Sequence, residues 1–153
     1  MEIKTSELTG SALDLIVDRL EGGCAPTNPD HLRIYLESLN EDKLWNELCK
    51  YTPGDIDATG LLSDADMIEY GIKTWRCPPV STDWAFGGPI IQREEINLSI
   101  NTFHRTYWEA WTPAPEQEHG EAVALGPTPL IAAMRCYVAS KLGDTVDIPE
   151  ELT

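Results

Sequence analysis

A chain of 153 residues with 42% hydrophobic content is long enough to bury one sizeable core and too apolar to be disordered. Its 26 acids against 11 bases give a net charge of -15, which excludes the basic footprint that non-specific binding to nucleic acid or anionic membrane needs. No apolar run is long enough to span a bilayer, and Met1-Glu2-Ile3-Lys4 lacks the basic-then-apolar pattern of a secretory leader, so the expected location is the cytoplasm of the cell that makes it.

The first expected element is a helix capped by Thr9. Leu13, Ile16, Val17 and Leu20 recur at helical spacing, Asp14, Asp18 and Arg19 are expected to face away from them, and Gly22-Gly23 stops the helix. A second helix starts at Asn28 with Pro29 in its first position and carries Leu32, Tyr35, Leu36 and Leu39 on one face. Leu44, Trp45 and Leu48 extend helical spacing up to Tyr51, and Thr52-Pro53-Gly54 reads as a turn. Ser63 caps a short helix over 64–70 that Gly71 ends, and Cys77-Pro78-Pro79 must be extended or turning.

After Pro79 the pattern changes to strands. Pro89-Ile90-Ile91-Gln92-Arg93 reads as a short strand, Ile96 to Ile100 alternates so that one face should be buried, and Thr106 to Trp111 is a third, aromatic strand. Thr112-Pro113-Ala114-Pro115-Glu116-Gln117-Glu118 is the polar loop expected to be mobile. The last helix is the clearest: Thr128 caps it, Pro129 sits in its first turn, Gly143 ends it, and Leu130, Ile131, Met134, Val138 and Leu142 form the buried stripe with Tyr137 beside it. The order of elements predicts an α+β fold, a small antiparallel sheet of about three or more strands packed by helices, with a long C-terminal helix at about 128–142.

Cys24, Cys49, Cys77 and Cys136 lie at wide intervals with no Cys-x-x-Cys pair, which argues against a zinc ribbon or a disulfide framework; reduced thiols are expected, with Cys136 packed in a helix. His31, His104 and His119 are dispersed over different elements, and no Gly-x-Ser-x-Gly elbow or phosphate loop occurs. No metal, cofactor or catalytic residue set is expected.

Three segments together carry a resemblance. Thr5-Ser6-Glu7-Leu8-Thr9-Gly10 with Ala12-Leu13-Asp14, then Ser81-Thr82-Asp83-Trp84-Ala85 running into Gly87-Gly88-Pro89-Ile90-Ile91, then the closing helix with its tail from Gly143 to Leu152, resemble the phage NinX-like family. The likeness covers roughly the first 20 residues and most of 81–153, whereas about 28–73 reads as a divergent or inserted acidic helical segment within a single domain spanning 1–153. The resemblance implies a small cytosolic protein of tailed phages or prophages, an accessory rather than a virion part, and it brings no reaction with it.

The residues themselves offer several site candidates, each with a plainer alternative. Trp84, Gly87, Gly88 and Arg93 could form a stacking and anion-binding loop; the alternative is a tight turn entering a strand, with Trp84 in the core and Arg93 paired with Asp83, Glu94 or Glu95. Arg105 and Arg135 are scarce bases in an acidic chain, suited to a phosphate or carboxylate, and Arg135 stands out on an apolar helix. Trp108 and Trp111, with Phe103 and Tyr107, could line an aromatic site or form core or a dimer surface. Thr128 opens a helix that could hold an anion, although Pro127 and Pro129 each remove a donor.

The first functional expectation is therefore a phage accessory protein, conceivably counter-defence, that binds a small nucleotide-like ligand without turnover. The alternative is a protein–protein inhibitor of a host factor. It would use an acidic, DNA-mimic-like surface over 41–69, where eight acids face only Lys43 and Lys50. A nucleotide-processing enzyme is the third, and a homo-oligomer is expected from short aromatic strands that a partner copy would complete.

Overall fold

The computed structural model describes residues 1–23, 29–51, 63–101, 103, 107–113 and 122–148. In chain order the elements are β1 (Glu2–Lys4), a 3-10 turn (Thr5–Glu7), α1 (Gly10–Leu20), α2 (Pro29–Glu37), α3 (Glu41–Tyr51), α4 (Asp64–Thr74), α5 (Trp84–Arg93), β2 (Asn97–Ile100), β3 (Trp108–Trp111), β4 (Val123–Gly126), α6 (Pro129–Leu142) and β5 (Thr145–Asp147). This is a mixed α+β fold, and it divides into two compact units, residues 1–22 with 79–153, and residues 23–78.

The first unit is built around α6. Thr128 Oγ1 accepts the Ile131 N–H at 3.2 Å, Pro129 takes a first-turn position where no N–H is missed, and Gly143, at φ 85, ends the helix. The helix lies on one face of an antiparallel sheet in the order β2-β3-β4, with Ala110 opposite Leu98 and Ala124. It comes close because Gly126 has no side chain: a Cβ there would stand 2.5 Å from the Ala132 nitrogen. Leu13, Ile16 and Val17 of α1 and Ile90 of α5 complete this core. The chain ends are tied together by the β1–β5 pair, Ile3 opposite Val146, and by Thr5, whose Oγ1 donates to the Gly143 carbonyl at 2.8 Å.

Several local expectations need correction here. Residues 89–93 are not a strand but the second half of α5, because Asp83 caps a helix at Trp84 and Ile90 is buried from that helix. Asp14 and Asp18 do not face solvent; they are 9% and 5% exposed, since α1 is enclosed on more than its apolar stripe. The same holds for α6, where Ala132, Ala133, Cys136 and Ser140 are buried beside the expected residues, whereas Leu142 is 45% exposed. Burial fades along β2, with Ile96 in the core, Leu98 half-buried and Ile100 exposed. Thr112 is not a loop-tip residue: it is fully buried, and its Oγ1 accepts the Ala122 N–H at the base of the β3–β4 connection. Strands β1, β4 and β5 had no sequence signal.

The described residues of the second unit form α2, α3 and α4 around Leu32, Leu36, Leu44, Leu48 and Met67. Ser63 caps α4 as expected, accepting the Asp66 N–H at 3.2 Å. Gly71 does not end that helix, which runs to Thr74; the glycine lies inside it, where a Cβ would meet Leu48 Cδ2 at 2.6 Å. Tyr51 stacks on Trp75 with ring centroids 4.4 Å apart, and the Arg76 N–H bonds to the Tyr51 carbonyl at 2.7 Å, which fixes where α4 leaves the bundle. Asn28, the turn at 52–54 and the loop at 114–118 lie outside the described residues.

Candidate functional site

The segment 83–93 is a helix start rather than a turn. Asp83 Oδ1 accepts the Ala85 N–H at 2.8 Å, leaving Trp84 and Phe86 in the first turn of α5, 53% and 44% exposed. Trp84 is therefore not core. The two glycines have different jobs. Gly87 faces inward, where a Cβ would come within 2.5 Å of the Val80 carbonyl oxygen. Gly88 faces outward, with only the Trp84 ring nearby at 3.9 Å. The helix thus presents an aromatic pair at one end and seats its backbone against the core through Gly87.

Arg93, at the other end of α5, is engaged. Its Nη2 and Nη1 donate to Glu21 Oε1 and Oε2 at 2.6 and 2.9 Å, and its Nε donates to Glu94 at 2.9 Å. The Tyr137 hydroxyl also donates to Glu21, at 2.6 Å, and Lys141 pairs with Glu94 at 2.8 Å. The expected pairing with Glu94 exists; Glu95 and Asp83 are replaced by Glu21, 72 positions away in sequence. Arg93 beside Glu21 holds that carboxyl below its ordinary range. Burial works against Glu94, but Lys141 and Arg93 still hold it low, and burial with the neighbouring Glu21 pushes the Tyr137 hydroxyl up. This network fastens α1, α5 and α6.

The remaining candidates do not converge on it. Arg135 is 8% exposed, and its Nε and Nη1 donate to the Leu8 and Leu125 carbonyls, each at 2.8 Å. Thr128 spends its side chain on the α6 cap. Trp108 packs on the core, whereas the pleat turns Trp111 to the opposite sheet face. Arg105 lies outside the described residues, as do His104 and His119. Cys136 is buried, its thiol pushed up to about 12 by desolvation, which makes it a packing residue rather than a nucleophile. Among the described residues no group of three or more His, Cys, Asp or Glu is placed to hold a metal ion.

A buried carboxylate pair was missed by sequence reasoning. Asp14 and Asp18 stand one turn apart on α1, and Asp14 Oδ1 accepts the Ser81 N–H at 2.9 Å. Burial raises the Asp14 carboxyl above its usual range, only partly offset by Ser81. The available signal was weak: polar residues on a helix otherwise flanked by Leu13, Leu15, Ile16 and Val17.

The second unit holds a cleft of about 640 Å³ lined by Glu41, Asp42 and Asp64 with Trp45 and Met67. Those acids sit in the first turns of α3 and α4, where they complement the positive helix ends. The acidity is not special to this unit. Residues 23–78 carry ten acids against five bases, and the rest of the chain sixteen against six.

Among the described residues no helix is long and apolar enough to cross a membrane. No curated protein matches the chain. A family model does, the one described as Bacteriophage P22, NinX, and its match runs from residue 4 to residue 141, through both compact units. The chain belongs to the phage P22 NinX family.

Proposed function

We propose that this phage protein works as an accessory factor by docking a host protein through the aromatic start of α5, without turnover. The observation that carries the reading is the exposure of both Trp84 and Phe86 in the first turn of a capped helix. Binding surfaces place rigid aromatic anchors in this way, and Trp is the side chain most enriched at energetic centres of interfaces. The other candidates are already committed, Arg93 to ion pairs, Thr128 to a cap and Trp108 to the core. With a net charge of -15 the chain repels polyanions, so the partner surface is neutral or basic around an apolar pocket.

A small nucleotide-like ligand is the second reading, favoured by the Trp84 ring, which offers a face for stacking. It is the weaker one because ligand sites bury most of a small molecule, whereas this turn projects from the surface. The DNA-mimic reading rests on the local acid excess of 41–69, since over whole units the acidity is shared.

One paired experiment separates these. Capture from host lysate with the wild type and with the Trp84→Ala/Phe86→Ala double variant, matched by circular dichroism, is followed by calorimetry on the purified partner. The docking reading expects a defined complex that weakens at least tenfold in the double variant. Calorimetry with linear and cyclic nucleotides runs alongside. Saturable heat that depends on Trp84, or partner binding indifferent to the double variant, overturns the docking reading.

A further inference from the structure

The two edges of the three-stranded sheet are not alike. Along β2 the Asn101 N–H bonds to the Tyr107 carbonyl at 3.0 Å, in the register that sets Ser99 opposite Glu109 and Asn97 opposite Trp111. Antiparallel ladders bond at alternate residues, so Asn97, Ser99 and Asn101 face β3, while the amides and carbonyls of Leu98 and Ile100 point away from it. Neither Leu98 nor Ile100 has another backbone partner among the described residues, and among the described elements only β3 and α6 pack closely on β2. At the other edge, the Thr112–Ala122 bond sets the same alternation in β4 and leaves the Leu125 carbonyl pointing outward. Arg135 Nη1 takes that carbonyl at 2.8 Å. The β4 edge is thus engaged from within the chain at Leu125, whereas the β2 edge is open.

The open edge carries none of the usual guards. Asn97 to Asn101 holds no charged residue and no proline, in a chain of net charge -15. Its apolar side chains also lack cover. Leu98 packs on the core, but Ile100, on the same face, is 51% exposed, and Phe103 and Tyr107 beyond it are 91% and 46% exposed. Such an edge is completed by another extended strand, which bonds to the Leu98 and Ile100 backbone and lays an apolar side chain against Ile100.

We propose that β2 pairs antiparallel with β2 of a second copy, about a two-fold axis at Ser99, so that two three-stranded sheets become one. The strand is complementary to itself. With Ser99 opposite Ser99 of the other copy, Leu98 stands opposite Ile100 and Ile100 opposite Leu98, and each of these pairs exchanges both of its outward N–H···O bonds. The same register sets the exposed Ile100 against the half-buried Leu98 of the other copy, which extends the core across the seam. Charge favours this meeting place. Two chains of net charge -15 repel, and an uncharged strand is where they approach at least cost, whereas a basic foreign strand finds no acid on β2 itself to pair with. The edge is separate from the aromatic turn of α5, and neither reading depends on the other.

The test uses the full chain in a concentration series from micromolar to millimolar. Sedimentation equilibrium should show monomer passing into dimer, and hydrogen exchange should show the Leu98 and Ile100 amides becoming protected over the same range. In a mixture of ¹³C-labelled and unlabelled protein, isotope-filtered NOEs should connect Leu98 methyls to Ile100 methyls between copies. Ile100→Pro removes an outward N–H and no bond to β3, so the variant should keep its fold and lose affinity for itself about tenfold or more. Ile100→Lys guards the edge with a charge and should act the same way; it decides should the proline variant not fold. A chain that stays monomeric at millimolar concentration, a dimer whose Leu98 and Ile100 amides exchange freely, or a dimer that neither variant weakens overturns the proposal.

Discussion

The two units carry similar charge density and are held together by different kinds of contact. In the unit formed by 1–22 and 79–153, helices rest on backbone: α6 on β4 at Gly126, and α5 on the Val80 carbonyl at Gly87. In the unit formed by 23–78, helices rest on the ends of leucine side chains around Gly71. Ion pairs divide the same way. Arg93, Glu21, Tyr137, Glu94 and Lys141 make a connected, partly buried network, whereas the Arg33–Glu69 pair is exposed. The lesson is that backbone contact sets hard limits on substitution and side-chain contact sets soft ones.

The largest effects test whether the units are separable. Leu48→Ala and Met134→Ala each remove a fully buried side chain and should each cost about 3 kcal/mol. Hydrogen exchange should show protection lost in α2 to α4 for the first and in α6 for the second. Loss spread evenly over both units in either variant would break the comparison.

Next come the glycines. Gly126→Ala drives a methyl into the Ala132 backbone and should cost about 3 kcal/mol by urea denaturation. Gly71→Ala meets only the flexible ends of the Leu48 and Leu36 side chains and gains helix propensity, so its cost should stay below about 1 kcal/mol. Equal costs would remove the distinction between hard and soft contact.

Tyr137→Phe deletes the hydroxyl bonded to Glu21 and should cost about 1.5 kcal/mol. Arg33→Ala in the other unit should leave the melting temperature unchanged, because its ion pair is exposed to solvent.

The smallest effect is the dependence on pH, and its sign differs between two acids of one helix end and middle. The folded-state pKa of Asp14 is raised, so its stabilising contribution is full below the unfolded value and is lost as pH rises through the folded value. Asp14→Asn keeps an acceptor for the Ser81 amide and should be no less stable than wild type at pH 7, with that advantage shrinking toward pH 4. The folded-state pKa of Glu21 is lowered, so its contribution is present above the unfolded value and is lost as pH falls through the folded one. Glu21→Gln should therefore destabilise at pH 7 and matter less in acid. Denaturation at the two pH values reads both.

Much of the fold was legible because its signals are local. Thr128, Pro129 and Gly143 bound α6 as expected, Ser63 caps α4, and α1, α3, β2 and β3 follow from spacing and β-branched or aromatic content. Strands β1 and β5 are three residues long, too short for a period to show, and β4, Val-Ala-Leu-Gly, is as long as β2 and β3 but has neither polar–apolar alternation nor aromatic residues. The candidate site was legible only in part. Trp84 and Gly87 were singled out, but Gly-Gly-Pro followed by Ile90-Ile91 reads locally as a turn and a strand.

Sequence alone determined the class of fold, the family and the acidic character, because caps, periodicity and charge are written within a few residues of one another. Tertiary structure decided what the marked residues do. Arg93 meets Glu21 across 72 positions, Arg135 reaches Leu8 across 127, and Gly87 of α5 makes room for the Leu130 side chain of α6. Those outcomes depend on which surfaces meet in space, and burial, not local preference, sets their energies.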